Sequence, residues 1–208
     1  MKHNFTELVL ATTNLGKLKE LQQMLIGQEV VVRGLADFPA LPPAREDADT
    51  FSENARRKAL YYAQRLEDKT VLADDSGLEV DALDGAPGVH SARFASCDSN
   101  DRLRCDAANN ALLLKRLAGV LGEKRTARFR CCLCVCRREK VLAEFEGTVE
   151  GLIAMEPCGE NGFGYDPLFY LPGRGCTIAQ LSSGAKNNVS HRGQALAKFV
   201  RWFNSGAS

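Results

Sequence analysis

The chain has 208 residues, 45% hydrophobic and 25% charged, with 27 Lys and Arg against 26 Asp and Glu. At about 150 residues per domain, that length suits one large domain or two small lobes, and it needs no disulfide or metal staple to fold. A net charge of +1 argues against nonspecific nucleic-acid or membrane binding, but leaves room for a small polyanion held by a few placed cations.

In chain order, residues 7–12 read as a short buried strand. Leu18, Leu21 and Leu25 mark an amphipathic helix, and the valines of residues 28–32 a second strand. A proline-rich loop at 38–43 and the acidic Glu46-Asp47-Ala48-Asp49 precede a helix that runs to about Leu66. Thr50 and Glu53 are spaced for a capping box at its start. Residues 70–73 form the third strand, which ends on Asp74-Asp75-Ser76-Gly77.

Residues 85–90 read as a loop and 100–117 as a helix. A strand pair follows at 125–137 and 141–148, then loop over 156–172 with a short strand at 168–170, and a last helix over 190–203. Strands alternating with helices and followed by an antiparallel pair predict an α/β fold with a mixed sheet. No apolar run approaches the roughly 18 residues of a membrane span. Residues 8–11 are too short for a signal-peptide core, so the expectation is a cytoplasmic protein with reduced thiols.

Four of the eight cysteines crowd together as Cys131, Cys132, Cys134 and Cys136. A metal or redox site is one reading. The period of two from Cys132 to Cys136 favours the other, buried residues along one face of a strand. Zinc sites usually pair ligands from separate segments, and the chain has only three histidines.

Several clusters carry chemistry. Thr12, Thr13 and Asn14 offer donors beside a helix start whose free N–H groups suit phosphate, and Lys17 adds a cation. A plain N-cap explains Thr13 and Asn14 equally well. Asp74 and Asp75 sit where a buried strand ends, the usual place for ligands in open α/β sheets. Their side chains alternate, so one alone need face a ligand, holding Mg2+ or accepting a proton from water. A solvated turn is the bland alternative. Glu53 is explained by its cap; Glu46 is not, which makes it the better candidate for a second metal ligand.

Gly162, Phe163, Gly164, Tyr165 and Asp166 form either a flat-ligand site with stacking aromatics or a tight packed turn. Lys186, His191 and Arg192 complete the set. Cations in the first turn of the last helix oppose its dipole unless an anion or a base lies near.

Taken in order, six blocks resemble the inosine/xanthosine triphosphate pyrophosphatase family of nonstandard-purine house-cleaning enzymes. They are LATTNLGK (10–17), TFSENA (50–55), ADDSGL (73–78), GAPGVHSAR (85–93), GFGYDP (162–167) and SHRG (190–193). The resemblance spans nearly the whole chain, residues 1–208 as one domain. It implies a long mixed sheet flanked by helices, two lobes around a nucleotide-binding cleft, and a homodimer. The implied reaction is Mg2+-dependent hydrolysis of ITP, dITP or XTP to the monophosphate and pyrophosphate. Thr12 through Lys17 would then hold the triphosphate, with Lys17 and Asp75 at the chemistry. Asp75 and Glu46 would bind the metal, and Ser76 would touch the substrate. Phe163 through Asp166, Lys186, His191 and Arg192 would line the nucleotide site.

The chain departs from the family pattern at Thr13 and Ala48, where glycine is common, and at residues 182–185, where acidic residues are common. A more mobile loop is expected before Lys186. Two other classes remain open: a nucleotide sensor without efficient hydrolysis, and a thiol or metal protein built on the cysteine strand.

Overall fold

Leu8, Val9 and Leu10, then Val71, Leu72 and Ala73, and then Cys131 through Cys136 are buried on successive residues. Continuous burial of this kind belongs to inner strands covered on both faces. The computed structural model describes residues 5–97, 99 and 101–205. Its strands are β1 (Glu7–Leu10), β2 (Val31–Gly34), β3 (Thr70–Val80), β4 (Thr126–Arg137), β5 (Lys140–Ile153), β6 (Phe169–Leu171) and β7 (Cys176–Thr177). They form a sheet in the order β2-β1-β3-β4-β5-β6-β7.

β1 lies parallel to β2 and β3, while β6 is antiparallel to β5 and β7. β4 and β5 are joined by Arg138 and Glu139 alone, a link that only antiparallel neighbours permit. The sheet is therefore mixed, as the sequence pattern predicts. The helices are α1 (Leu15–Met24), α2 (Phe51–Arg65), α3 (Arg102–Arg116), α4 (Ser183–Val189) and α5 (His191–Ser205). None of the described helices is long and apolar enough to cross a membrane.

The chain divides into two compact units. The first comprises Met1–Asp75, Cys131–Gly147 and His191–Ser208; the second comprises Ser76–Arg130 and Thr148–Ser190. In the first, Leu8, Leu10 and Leu72 meet Leu21 of α1, Leu25 just past its end, and Leu196 and Phe199 of α5. Phe145 of β5 packs edge-on against Phe199, with ring centroids 5.9 Å apart. In the second, Leu113 of α3 and Leu117 just past its end join Leu78, Phe129, Ile153, Leu168 and Ile178. Each unit thus has its own apolar core.

The structure departs from the sequence reading in several places. β2 begins at Val31 rather than 28, because the turn after α1 runs through Gly27 (φ +85°) and its hydrogen bonds occupy Gln28 and Val30. At α2 the capping box is half made: Thr50 Oγ1 accepts from Glu53 N at 3.2 Å, but the Glu53 carboxylate turns to Arg57 at 2.9 Å. β5 runs five residues beyond Thr148 to Ile153. The expected mobile loop before Lys186 is instead α4, capped by Ser182, whose hydroxyl accepts from Ala185 N at 3.3 Å. Helix α3 matches its reading with Asp101 as N-cap, and Asn100 lies outside the described residues.

Candidate active site

β1 ends at Leu10, and β3 pairs with it only as far as Leu72. β3 then continues, so Asp74 and Asp75 fall in mid-strand, not at a strand end. They still stand where β1 gives way to α1, and that turn sets the chemistry around them. Asn14 caps α1, its Oδ1 accepting from Gly16 N at 2.9 Å and Lys17 N at 3.2 Å. Thr12 Oγ1 accepts from Asn14 N at 3.1 Å, while Thr13 is exposed. The cap directs α1 so that Lys17 Nζ reaches the Asp74 carboxylate at 2.9 Å.

Asp74 is 2% exposed and is surrounded by cations. Arg192 Nη2 lies 3.4 Å from its carboxylate, and Lys58 Nζ donates to its backbone carbonyl at 2.9 Å. Burial works against ionisation, but Lys17, Arg192 and Lys58 outweigh it and hold the Asp74 carboxyl well below the usual range. Arg192 is buried too and also bonds Glu20 of α1. Those two anions answer the unfavourable placement of a cation in the first turn of α5.

Asp75 behaves oppositely. Burial leads there, and the charges of Asp74 and Glu46 add to it, raising the Asp75 pKa against Lys17 and Lys58. Glu46 accepts an ion pair from Lys58 at 2.8 Å. One unit therefore holds Lys17, Lys58, Glu46, Asp74, Asp75 and Arg192 together. Ser76 follows Asp75 on β3, half-buried. His191 is buried as the first residue of α5, held close to β5 because Gly147 has no side chain. A Cβ on Gly147 would stand 2.0 Å from the His191 carbonyl oxygen.

Sequence reasoning missed Lys58 and Glu20. Lys58 does leave a signal: Phe51, Asn54, Ala55, Ala59 and Tyr62 define the buried face of α2, and Lys58 lies on that face. A lysine on an apolar stripe needs anions. Glu20 leaves none, since its partner is 172 residues away.

The second unit carries the other cluster. Asp166, 3% exposed, accepts from Lys186 Nζ at 2.6 Å and from Phe163 N at 2.9 Å. The Lys186 ammonium sits 4.6 Å above the Phe163 ring, a cation–π contact. Tyr165 is buried, with its hydroxyl donating to the Ser91 carbonyl at 2.8 Å. Its aromatic ring therefore serves the core rather than an open stacking face. Gly162 takes φ +79°, and a Cβ there would lie 2.0 Å from Asp166 Oδ2. Gly162→Ala is expected to lower the thermal midpoint by roughly 5 °C, from the left-handed backbone penalty alone, as read by calorimetry.

The four crowded cysteines are all buried in β4. Burial pushes the Cys131 thiol up, away from the reactive thiolate. Among the described residues, no group of three or more His, Cys, Asp or Glu could hold a metal ion. Any cation would draw its remaining ligands from substrate and water.

The Ham1 family model matches residues 8–202. A dITP/XTP pyrophosphatase of Geobacillus kaustophilus (strain HTA426) is 50% identical over 192 residues, covering 92% of this chain and 91% of that protein. Another from Listeria monocytogenes serotype 4b (strain F2365) is 48% identical over 196 residues, 94% of each. Among solved structures, a HAM1 protein from Coxiella burnetii aligns with a TM-score of 0.84 at 38% identity, over 97% of this chain and 100% of that one. The Staphylococcus aureus Ham1 protein aligns at 0.81, with the same identity and coverage. Matched along nearly its whole length in both sequence and fold, the chain belongs to the Ham1 family.

Proposed function

We propose that this protein is a nucleoside triphosphate pyrophosphatase that hydrolyses nonstandard purine nucleotides (ITP, dITP and XTP) to the monophosphate and pyrophosphate. Relatives sharing about half its residues bear the name dITP/XTP pyrophosphatase. The observation that carries the reading is Asp75, a buried carboxylate with raised proton affinity flanked by Lys17, Lys58 and Glu46. A carboxylate tuned upward is suited to take a proton from water at neutral pH.

The donor set fits Mg2+. Asp75 and Glu46 are hard oxygen ligands, the Glu46 charge near enough to add to the upward shift of Asp75, and magnesium is usually held by one or two carboxylates plus phosphate and water. When bound, the ion supplies charge neutralisation to the triphosphate. The chain's own part is positioning: Lys17 and the α1 N-terminus take phosphate charge, and Asp75 orients the water attacking the α-phosphorus. Arg192 contributes by fixing Asp74 rather than by reaching the base, since its guanidinium engages Glu20 and Asp74.

In the second unit, Phe163, Asp166 and Lys186 are read as the base-recognition group. Hypoxanthine and xanthine present an acceptor at position 6 where adenine presents a donor, so a site of N–H donors favours the oxo bases. We further read the protein as a cytoplasmic homodimer acting on free nucleotide, without nucleic acid or membrane. The balanced charge supports the absence of nucleic-acid and membrane binding, and sedimentation tests the dimer.

A triphosphate panel with pyrophosphate detection, with and without Mg2+, tests the function. XTP and dITP should exceed dATP by at least about 100-fold in kcat/KM, with pyrophosphate as product. Inorganic phosphate as sole product, or binding without turnover in Mg2+, would overturn the reaction assigned.

A further inference from the structure

Helix α3 holds a polar face that the proposed chemistry does not use. Asp106 is 6% exposed, and Oδ2 accepts from Gly164 N at 2.8 Å. One turn later, Asn110 Nδ2 donates to the Gly164 carbonyl at 2.9 Å. Both polar groups of a single residue are thus gripped by side chains four apart on one helix, the spacing that places them on one face. Arg102 Nε stands 3.0 Å from the other Asp106 oxygen, an ion pair one turn back along the same helix. Asn109, between them, binds the neighbouring segment, accepting from Ala95 N at 2.8 Å.

Gly164 needs such a hold. It takes φ +63° in a glycine-rich turn, and the turn carries Phe163 on one side and Asp166 on the other. Asp166 orients Lys186, and Phe163 lies beneath the same ammonium. Movement of the Gly164 peptide would move all three. A hydrogen bond to a carboxylate is about twice as strong as a neutral one, so Asp106 is the stiffer half of the grip.

We infer that Asp106 and Asn110 are positioning residues for purine selection, clamping the Gly164 peptide so that Phe163, Asp166 and Lys186 keep one arrangement. This rests on the reading of those three as the base-recognition group. Loss of the clamp loosens base recognition while leaving Lys17, Glu46 and Asp75 in place.

The test is steady-state kinetics on XTP, dITP and dATP for the wild type, Asp106→Ala, Asp106→Asn and Asn110→Ala, with thermal midpoints alongside. The two alanine variants should raise KM for XTP about tenfold, the value of one lost hydrogen bond of this kind, with kcat within roughly threefold. Preference for XTP over dATP should narrow by a similar factor. Asp106→Asn keeps an acceptor for the Gly164 N–H and should rescue KM to within about threefold of wild type. Should Asp106→Ala fail to fold, Asn110→Ala and Asp106→Asn carry the comparison.

An unchanged KM, a loss confined to kcat, equal losses on every substrate, or no rescue in Asp106→Asn would each overturn the inference. A wild type that hydrolyses XTP beside unaltered variants sinks the clamp alone. A wild type inactive on XTP overturns the proposed function and the clamp with it.

Discussion

Asp75→Asn should fold, gain stability at pH 7.5, and lose roughly a thousandfold in kcat/KM for XTP, within the usual range for removing a general base. The gain follows from the direction of its pKa. Burial, Asp74 and Glu46 raise the folded value above that of the unfolded chain. The native state therefore binds its proton more tightly, and wild-type stability declines as pH rises from about 4, the ordinary carboxylate value, through the raised one. The amide has no charge to bury. Its advantage should be full above the raised value and absent below about pH 4. Thermal melts across that pH range, run beside the kinetic assay, check both halves. Retained turnover would move the chemistry to another residue. A stability loss at pH 7.5 would mean that the cations around Asp75 outweigh its burial.

Its neighbour should respond in the reverse sense. Asp74→Asn removes the carboxylate that Lys17 and Arg192 share, leaving those two cations in place. Breaking a buried pair by deleting one partner costs about 3–5 kcal/mol, which lowers the midpoint by roughly 10 °C in a chain of this length. Asp74 has a depressed folded pKa, so its contribution is present above the ordinary carboxylate value and is lost as pH falls through the depressed one. The gap between wild type and variant should stay level from pH 8 to about 4 and close only below that. Denaturant titrations at several pH values read it directly. A variant as stable as the wild type would show that Glu20 alone satisfies Arg192.

Much of the fold was legible in the chain. Apolar runs at 8–11 and 71–73, helical spacing at Leu21 and Leu25, and the short link between β4 and β5 are local signals, and local signals survive in sequence. The misses have local causes as well. Gly27 diverted residues 28–30 into a turn that valine content alone did not reveal. Ser182 capped a helix of seven residues, too short to show periodicity. The cysteine strand was legible because thiols among apolar neighbours pack as small hydrophobes, although β4 is buried on both faces rather than the one that a period of two suggests.

The candidate site divides differently. Sequence by itself determined which side chains are available: adjacent Asp74 and Asp75, Lys17 behind a helix cap, glycines around Phe163, and cations where the last helix begins. Only the tertiary structure decided what each does. Asp74 and Asp75 are chemically identical, one residue apart on a strand, and alternation sends them into different surroundings. Lys17 and Arg192 close on the first from α1 and α5, while Glu46 weighs on the second from the loop before α2. Those partners come from positions 17, 46 and 192. A pKa depends on distances between charges and on their burial, neither of which a linear order records. The result is one carboxylate that holds the unit together and one kept ready for a proton.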